Sequence, residues 1–113
     1  VFEEVLNEKL SVETYGDEDW TTYTANEAGN YRIIGYTPDG GDFWVEYYLG
    51  EGTDNYEGRM NIYSGYNNKS MSLTLEAGQS VRVKVYSYAQ GNQNANDPYK
   101  HSIQIRIVHE NNL

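Results

Sequence analysis

The sequence predicts an all-β fold of about eight strands, arranged as two packed antiparallel sheets. Apolar and polar residues alternate with a period of two in many segments, which is typical of strands that bury one face. No window carries the apolar i, i+3, i+4, i+7 stripe of a helix. Glycine, asparagine and aspartate cluster between the alternating segments, where they favour turns. Together these three observations predict a β-sandwich.

Turn sequences delimit the strands in chain order. An acidic turn ends the first strand, EAGN at 27–30 ends the second, and PDGG at 38–41 ends the third. The next three strands end at GEG (50–52), GYNN (65–68) and AG (77–78). A long polar segment separates the seventh strand from the eighth. The predicted strands cover 6–15, 19–26, 29–37, 43–50, 58–64, 71–76, 79–88 and 99–109.

The alternation also predicts which side chains face the core. In the seventh strand, valines at alternate positions point one way and charged or aromatic residues point the other. Isoleucines at alternate positions give the eighth strand the same character. In the fourth strand we expect Phe43, Val45, Tyr47 and Leu49 to face inward, with Trp44, Glu46 and Tyr48 on the opposite side.

Composition excludes several classes of function. The chain has 113 residues, and its net charge of −9 has the wrong sign for binding nucleic acid or an anionic membrane surface. There is no cysteine, so disulfides, thiol chemistry and cysteine zinc sites are excluded. The surplus of tyrosine, 12 residues beside two phenylalanines, is typical of exported bacterial β domains and predicts an extracellular location.

Three segments, in this order, carry a family resemblance. They are GDEDWTTYT at 16–24, AGNYRI at 28–33 and LEAGQSVRVKVYSY at 75–88. These segments resemble the bacterial pre-peptidase C-terminal domain, which runs from an acidic turn into D-W/Y-x-x-F, then G-x-x-x-I, then L-x-A-G-x-Y-x-V-x-V and a closing strand. The resemblance extends over nearly the whole chain. It places Trp20 at the start of a strand common to the family, so we expect a core or structural role for this residue.

The chain length predicts a single domain over residues 1–113. The resemblance implies that this domain is a jelly-roll-like accessory sandwich. Domains of this family are appended to secreted peptidases and glycoside hydrolases, so we expect a secreted or cell-surface, monomeric module of a larger chain. The related collagen-binding domains of clostridial collagenases present outward tyrosines on a late strand, and Tyr86 and Tyr88 occupy the matching places. The acidic, asparagine-rich calcium segment of those domains is not reproduced at 1–7.

Acidic residues offer candidate metal ligands in two places. Asp17 and Asp19 flank Glu18 in a turn where several carboxylate oxygens could bind calcium, the one cofactor we consider. The alternative is a solvated turn whose aspartates accept hydrogen bonds from the backbone. A second, weaker cluster combines Asp39, Asp42, Glu51 and Asp54.

Catalytic motifs are not found in the sequence. It contains no Gly-x-Ser-x-Gly elbow, no His-Glu-x-x-His helix and no glycine-rich phosphate loop. His101 and His109 are eight residues apart on one strand, too far to share a metal ion, and we expect both to be exposed. The sequence therefore predicts a protein that is not an enzyme.

Outward aromatic residues are the main functional signal. One predicted stripe combines Tyr86 and Tyr88 with Arg82 and Lys84, and a second combines Trp44 and Tyr48 with Tyr36. Flat rings stack on the C–H faces of sugars and on polyproline-like surfaces. The alternative is that tyrosine is simply favoured on the wet face of a strand.

The leading hypothesis is therefore a noncatalytic module that binds an extracellular polymer, a polysaccharide first and a collagen-like protein next. The second hypothesis is a structural or export-assisting domain without a ligand. The third is a small hydrolase, which would need two carboxyl groups facing each other across a cleft.

Overall fold

The computed structural model describes residues 2–50, 55–64, 68–89 and 93–110, and these contain eight strands. All eight predicted strands are present, with ends that shift by a few residues, and the first begins earlier than predicted. No helix in the described part of the chain is long and apolar enough to span a membrane. The strands are β1 (Phe2–Thr14), β2 (Glu18–Thr24), β3 (Gly29–Tyr36), β4 (Phe43–Leu49), β5 (Tyr56–Ile62), β6 (Ser70–Leu75), β7 (Ser80–Ser87) and β8 (Pro98–Glu110).

Strand pairing is nested from the ends of the chain toward its middle. β1 pairs with β8, β2 with β7, β3 with β6 and β4 with β5, all antiparallel. Successive pairs alternate between two four-stranded sheets, ordered β1-β8-β3-β6 and β2-β7-β4-β5. This is the jelly-roll arrangement, and it confirms the predicted fold class. We call the two sheets the first and the second sheet.

The core lies between the sheets and is built from alternate residues of each strand. Val81, Val83 and Val85 of β7 face Ile103, Ile105 and Ile107 of β8 from the opposing sheet, and all six are fully buried. Phe43 and Val45 of β4 are fully buried as predicted, and Tyr47 and Leu49 pack against the same cluster. The predicted register of β4 is therefore confirmed.

The two histidines occupy opposite ends of the core. His109 is only 6% exposed and stacks on Tyr31, with ring centroids 4.4 Å apart. The expectation that this residue is exposed is wrong, because its position in β8 has the same inward parity as the buried isoleucines. His101, also of inward parity, is half-buried at the other end, where its Nδ1 lies 3.1 Å from Asp39 Oδ1.

Candidate functional site

The outer surface of the second sheet carries a dense group of aromatic and charged side chains. Strand register places them in three rows that cross the sheet from β2 to β5. Both tryptophans of the chain and three of its tyrosines lie in these rows, and Tyr88, just beyond the end of β7, adds a fourth tyrosine. We call this surface, together with Tyr88, the aromatic face. The rows are Glu18, Tyr86, Trp44 and Asn61; Trp20, Lys84, Glu46 and Arg59; and Thr22, Arg82, Tyr48 and Tyr56.

One end of the aromatic face is formed by what we call the Trp20 cluster, which contains Trp20, Tyr48, Tyr56 and Arg82. The ring centroids of Trp20 and Tyr48 are 5.4 Å apart, and those of Tyr48 and Tyr56 are 5.8 Å apart. The Arg82 guanidinium lies 4.4 Å from the centre of the Trp20 ring, a cation–π contact. Tyr48 is buried beneath these neighbours, whereas Tyr56 is 48% exposed.

The other end is formed by the Trp44 cluster, which contains Trp44, Tyr88 and Arg59. The rings of Trp44 and Tyr88 are 4.8 Å apart and tilted by 31°, and the Arg59 guanidinium lies 4.0 Å from the centre of the Trp44 ring. Trp44 is half-buried and Tyr88 is 43% exposed. Each cluster thus combines a half-buried tryptophan, a stacked arginine and one exposed tyrosine.

A polar network separates the two clusters. Glu46 is only 7% exposed, although it lies on the outer side of the sheet. It accepts hydrogen bonds from the hydroxyls of Tyr48, at 2.7 Å, and Tyr86. Lys84 Nζ lies 3.3 Å from Glu46 and 3.4 Å from Glu18, so it bridges two carboxylates. The buried charge is therefore fully paired, as burial requires.

The titration properties of this network follow from its contacts. Burial alone would raise the pKa of Glu46, but hydrogen bonds from Tyr86 and Tyr48 and the charge of Lys84 outweigh it and lower the pKa. Burial opposes the charged form of Lys84, yet Tyr48, Glu46 and Glu18 hold its pKa above the usual range. Burial and the hydrogen bond to Glu46 raise the pKa of Tyr86 to about 12. Glu46 and Lys84 are thus both ionised at neutral pH.

The structure joins the two predicted stripes into one surface, because β4 and β7 are neighbours in the second sheet. Tyr86, Tyr88, Arg82 and Lys84 from β7 and its end lie beside Trp44 and Tyr48 from β4. Tyr36 does not belong to this group. It lies on β3 in the first sheet, opposite Gln104, and is 41% exposed there.

Three members of the two clusters were not among the predicted site residues. We expected a core or structural role for Trp20. It lies half-buried on the outer side of β2, opposite Lys84, and so outside the core between the sheets. Arg59 and Tyr56 lie on β5. The sequence signal that could have identified Arg59 and Tyr56 is the alternation in β5. A bulge, however, shifts the pairing of β5 with β4 between Tyr47 and Tyr48. Sequence alternation alone does not place residues correctly across a bulge.

The outer surface of the first sheet has a different chemistry. Arg32 pairs with Glu110 at 2.7 Å and Arg106 pairs with Glu4 at 2.6 Å. Asn7 and Gln104 hydrogen-bond across the β1–β8 pair. This surface thus carries polar pairs between neighbouring strands together with two exposed aromatic side chains, Phe2 at 57% and Tyr36 at 41%, whereas both tryptophans lie on the aromatic face.

The predicted calcium ligands serve the backbone of β1. Asp17 Oδ2 accepts a hydrogen bond from the amide of Glu13 at 3.0 Å, and Asp19 Oδ2 accepts one from the amide of Ser11 at 3.1 Å. β1 is an edge strand, so these carboxylates bond amides at the edge of the first sheet. Within the described ranges no three acidic or histidine residues lie close enough together to hold a metal ion. The structure thus gives no support to a calcium site.

The second acidic cluster is also used internally where it is described. Asp39 accepts hydrogen bonds from the Ser102 amide and contacts His101. Burial would raise the pKa of Asp39, but these two partners outweigh it and lower the pKa. Asp42 Oδ1 accepts a hydrogen bond from Asn61 at 2.6 Å. Glu51 and Asp54 lie outside the described residues.

Comparison of the chain with protein-family models and with curated protein sequences finds no match. The resemblance to the pre-peptidase C-terminal domain stays a prediction from the sequence.

Proposed function

We propose that this protein is a noncatalytic binding module whose aromatic face binds an extracellular polysaccharide. The observation that carries the proposal is the segregation of aromatic side chains, since both tryptophans and four tyrosines share the outer surface of one sheet. An exposed group of this kind, rimmed by polar residues, is typical of an interaction surface.

The chemistry of the face suits sugars. The exposed rings of Tyr56 and Tyr88 offer apolar surface for the C–H faces of sugar rings. Arg59 and Arg82 carry guanidinium donors beside the tryptophans, where they can donate to sugar hydroxyls. The hydroxyls of Tyr48 and Tyr86 point down to Glu46 and keep the two rings fixed. A fixed surface loses little conformational entropy when it binds a ligand.

The carboxylates on the face support binding without catalysis. Glu18 and Glu46 flank Lys84, and they are the acidic pair in the rows of the face. A glycosidase needs one carboxyl group with a raised pKa to protonate the leaving oxygen. The pKa of Glu46 is instead lowered, and its oxygens are occupied by Tyr48, Tyr86 and Lys84. Glu46 is therefore unsuited to the role of general acid, which supports a module that holds a polymer without cleaving it.

The sequence resemblance extends this proposal to the setting of the protein. It supports a secreted or cell-surface accessory module, monomeric and carried by a larger bacterial protein such as a hydrolase. In that setting the module would keep its parent on an insoluble substrate. A collagen-like polymer is the next ligand class, because polyproline-like chains also stack on exposed rings.

The test is retention of the domain on a panel of polymers: cellulose, xylan, mannan, pectin, chitin and collagen. We expect retention on at least one polysaccharide that is lost in Tyr88→Ala and kept in Tyr36→Ala. Both tyrosines are similarly exposed, at 43% and 41%, but they lie on different sheets, so the second is a matched control. The same assay in the presence of a chelator tests whether retention requires calcium. Retention by collagen alone would assign a collagen-like polymer, and not a polysaccharide, as the ligand. No retention on any polymer would contradict a binding role.

A structural role without a ligand is the second candidate, and the burial of Glu46 and Tyr48 favours it. These residues join β4 to β7 through Lys84 and Tyr86, so the face also stabilises the sheet. Tyr88→Ala separates the two functions. If the face only stabilises the sheet, removal of the exposed Tyr88 ring should change the free energy of unfolding by about 0.5 kcal/mol or less. It should also leave the result of every polymer assay unchanged.

A further inference from the structure

We infer that the aromatic face holds a linear sugar chain at two separate subsites, one at the Trp20 cluster and one at the Trp44 cluster. This inference rests on the proposed function and adds the form of the ligand. The protein would recognise an internal stretch of an extended polysaccharide rather than a single sugar or a chain end.

The spacing of the clusters is the first argument. Trp44 and Tyr48 mark the two clusters on β4 and are four residues apart, which corresponds to ~14 Å at the usual rise of a strand. Tyr88 and Arg82 mark the same two clusters along the neighbouring β7, again with the Trp44 cluster nearer the end of β7. A single sugar ring is much shorter than this separation, so one ring cannot contact both clusters.

The equivalence of the clusters is the second argument. Each contains a half-buried tryptophan with a guanidinium stacked on it, 4.4 Å away in one and 4.0 Å away in the other. Each also includes an exposed tyrosine, Tyr56 at 48% and Tyr88 at 43%. Two similar stacking sites on the same side of one sheet match a ligand that repeats the same unit along its length.

The region between the clusters is the third argument. The centre of the face is occupied by Lys84 and Glu46, whose charges satisfy each other and are nearly buried. Lys84 also contacts the rings of Trp20, Tyr48 and Tyr86. The centre therefore offers few unused groups, and a ligand gains most when it reaches both ends. A chain that does so runs along β4 and β7.

The experiment uses calorimetric titration with xylose and glucose oligomers, linked β-1,4, from the disaccharide to the hexasaccharide. Once a chain reaches both clusters, the second contact becomes intramolecular, and we expect affinity to rise by at least ~10-fold over the disaccharide. Tyr56→Ala and Tyr88→Ala should each lower hexasaccharide affinity by at least ~10-fold and remove the dependence of affinity on chain length. Both tyrosines are exposed, so neither variant is expected to unfold the domain, and Tyr36→Ala is the control.

Each outcome has a distinct meaning. Equal affinity for all lengths, or sensitivity to only one of the two variants, would overturn the two-subsite inference and leave the proposed polysaccharide-binding function intact. Failure of the wild-type protein to bind any oligomer or any polysaccharide of the panel would overturn both. A length-dependent gain that both variants remove supports the inference.

Discussion

Trp20 and Tyr48 lie on strands that do not pair with each other, yet their ring centroids are 5.4 Å apart. β7 runs between their strands, so the two side chains meet over it. Lys84, which belongs to β7, has its ammonium group 5.5 Å from the Trp20 ring. The indole therefore helps to exclude water from the ion pair that Lys84 forms with Glu46.

Removal of the Trp20 ring should destabilise the protein, because the ion pair between Lys84 and Glu46 loses its shielding from water. We expect Trp20→Ala to lower the free energy of unfolding by about 2 kcal/mol, less than for a fully buried tryptophan because Trp20 is half-buried. Tyr56→Ala in the same cluster should cost less than about 1 kcal/mol, since Tyr56 is exposed. Urea denaturation followed by circular dichroism measures both. Equal losses would show that Trp20 shields nothing beyond its own surface.

Replacement of Glu46 should change how stability depends on pH. Its folded-state pKa is lowered from the usual 4.5, so its contribution is present above about that pH and is lost as the pH falls through the folded-state value. Glu46→Gln should cost about 3 kcal/mol near neutral pH, because it leaves Lys84 poorly compensated. The difference in the free energy of unfolding between wild type and variant should narrow below pH 4.5. A gap that is constant from pH 7 to pH 3 in thermal unfolding would contradict this account.

Gly29 should not tolerate a side chain. Its φ of +153° lies in a region that favours glycine, and an added Cβ would come within 2.6 Å of His109 Nε2. We expect Gly29→Ala to cost about 3 kcal/mol from strain and steric crowding combined. Gly78 has a φ of +87° but open space around it, so Gly78→Ala should cost only about 1 kcal/mol. Chemical denaturation of the two variants gives the comparison, and similar losses would exclude a contribution from His109.

Tyr99 should stabilise the loop that precedes β4. Its hydroxyl accepts a hydrogen bond from the Asp42 amide at 2.7 Å and donates one to the Asp42 carbonyl at 2.5 Å. The amide of Tyr88 also donates to that carbonyl, so this acceptor keeps a partner when the hydroxyl is removed. We expect Tyr99→Phe to cost about 1–2 kcal/mol, chiefly through the Asp42 amide.

The control for this prediction is Tyr36→Phe, because Tyr36 is exposed on the other sheet. It should change stability by about 0.5 kcal/mol or less. Hydrogen exchange at the Asp42 amide should accelerate in Tyr99→Phe alone. Unchanged exchange there would show that the tyrosine hydroxyl does not protect this loop.

The strands and the core were predictable because the information is local. The alternation of Val81, Val83 and Val85 with polar residues needs no knowledge of neighbouring strands, and the structure buries all three. The same holds for Phe43 and Val45. A period of two is enough to assign a strand and its inner face.

The composition of the candidate site was only partly predictable, because it depends on pairing between distant segments. The sequence grouped Trp44 with Tyr36, but β4 and β3 belong to different sheets. It separated Trp44 from Tyr86, which are direct neighbours across β4 and β7. The role of Trp20 depends on how its ring lies over β7, and no local pattern carries that information.

The nested pairing has a consequence for a protein under tension. Phe2 faces Glu110 across the β1–β8 pair, so the two described ends of the chain emerge side by side at one end of the first sheet. A force that separates these ends pulls β1 and β8 apart at that point and loads their hydrogen bonds one after another. Strands pulled in this way unzip, whereas strands pulled from opposite ends must break all their bonds together in shear. The jelly roll is therefore mechanically weak along the line between its ends, whatever its resistance to heat or denaturant.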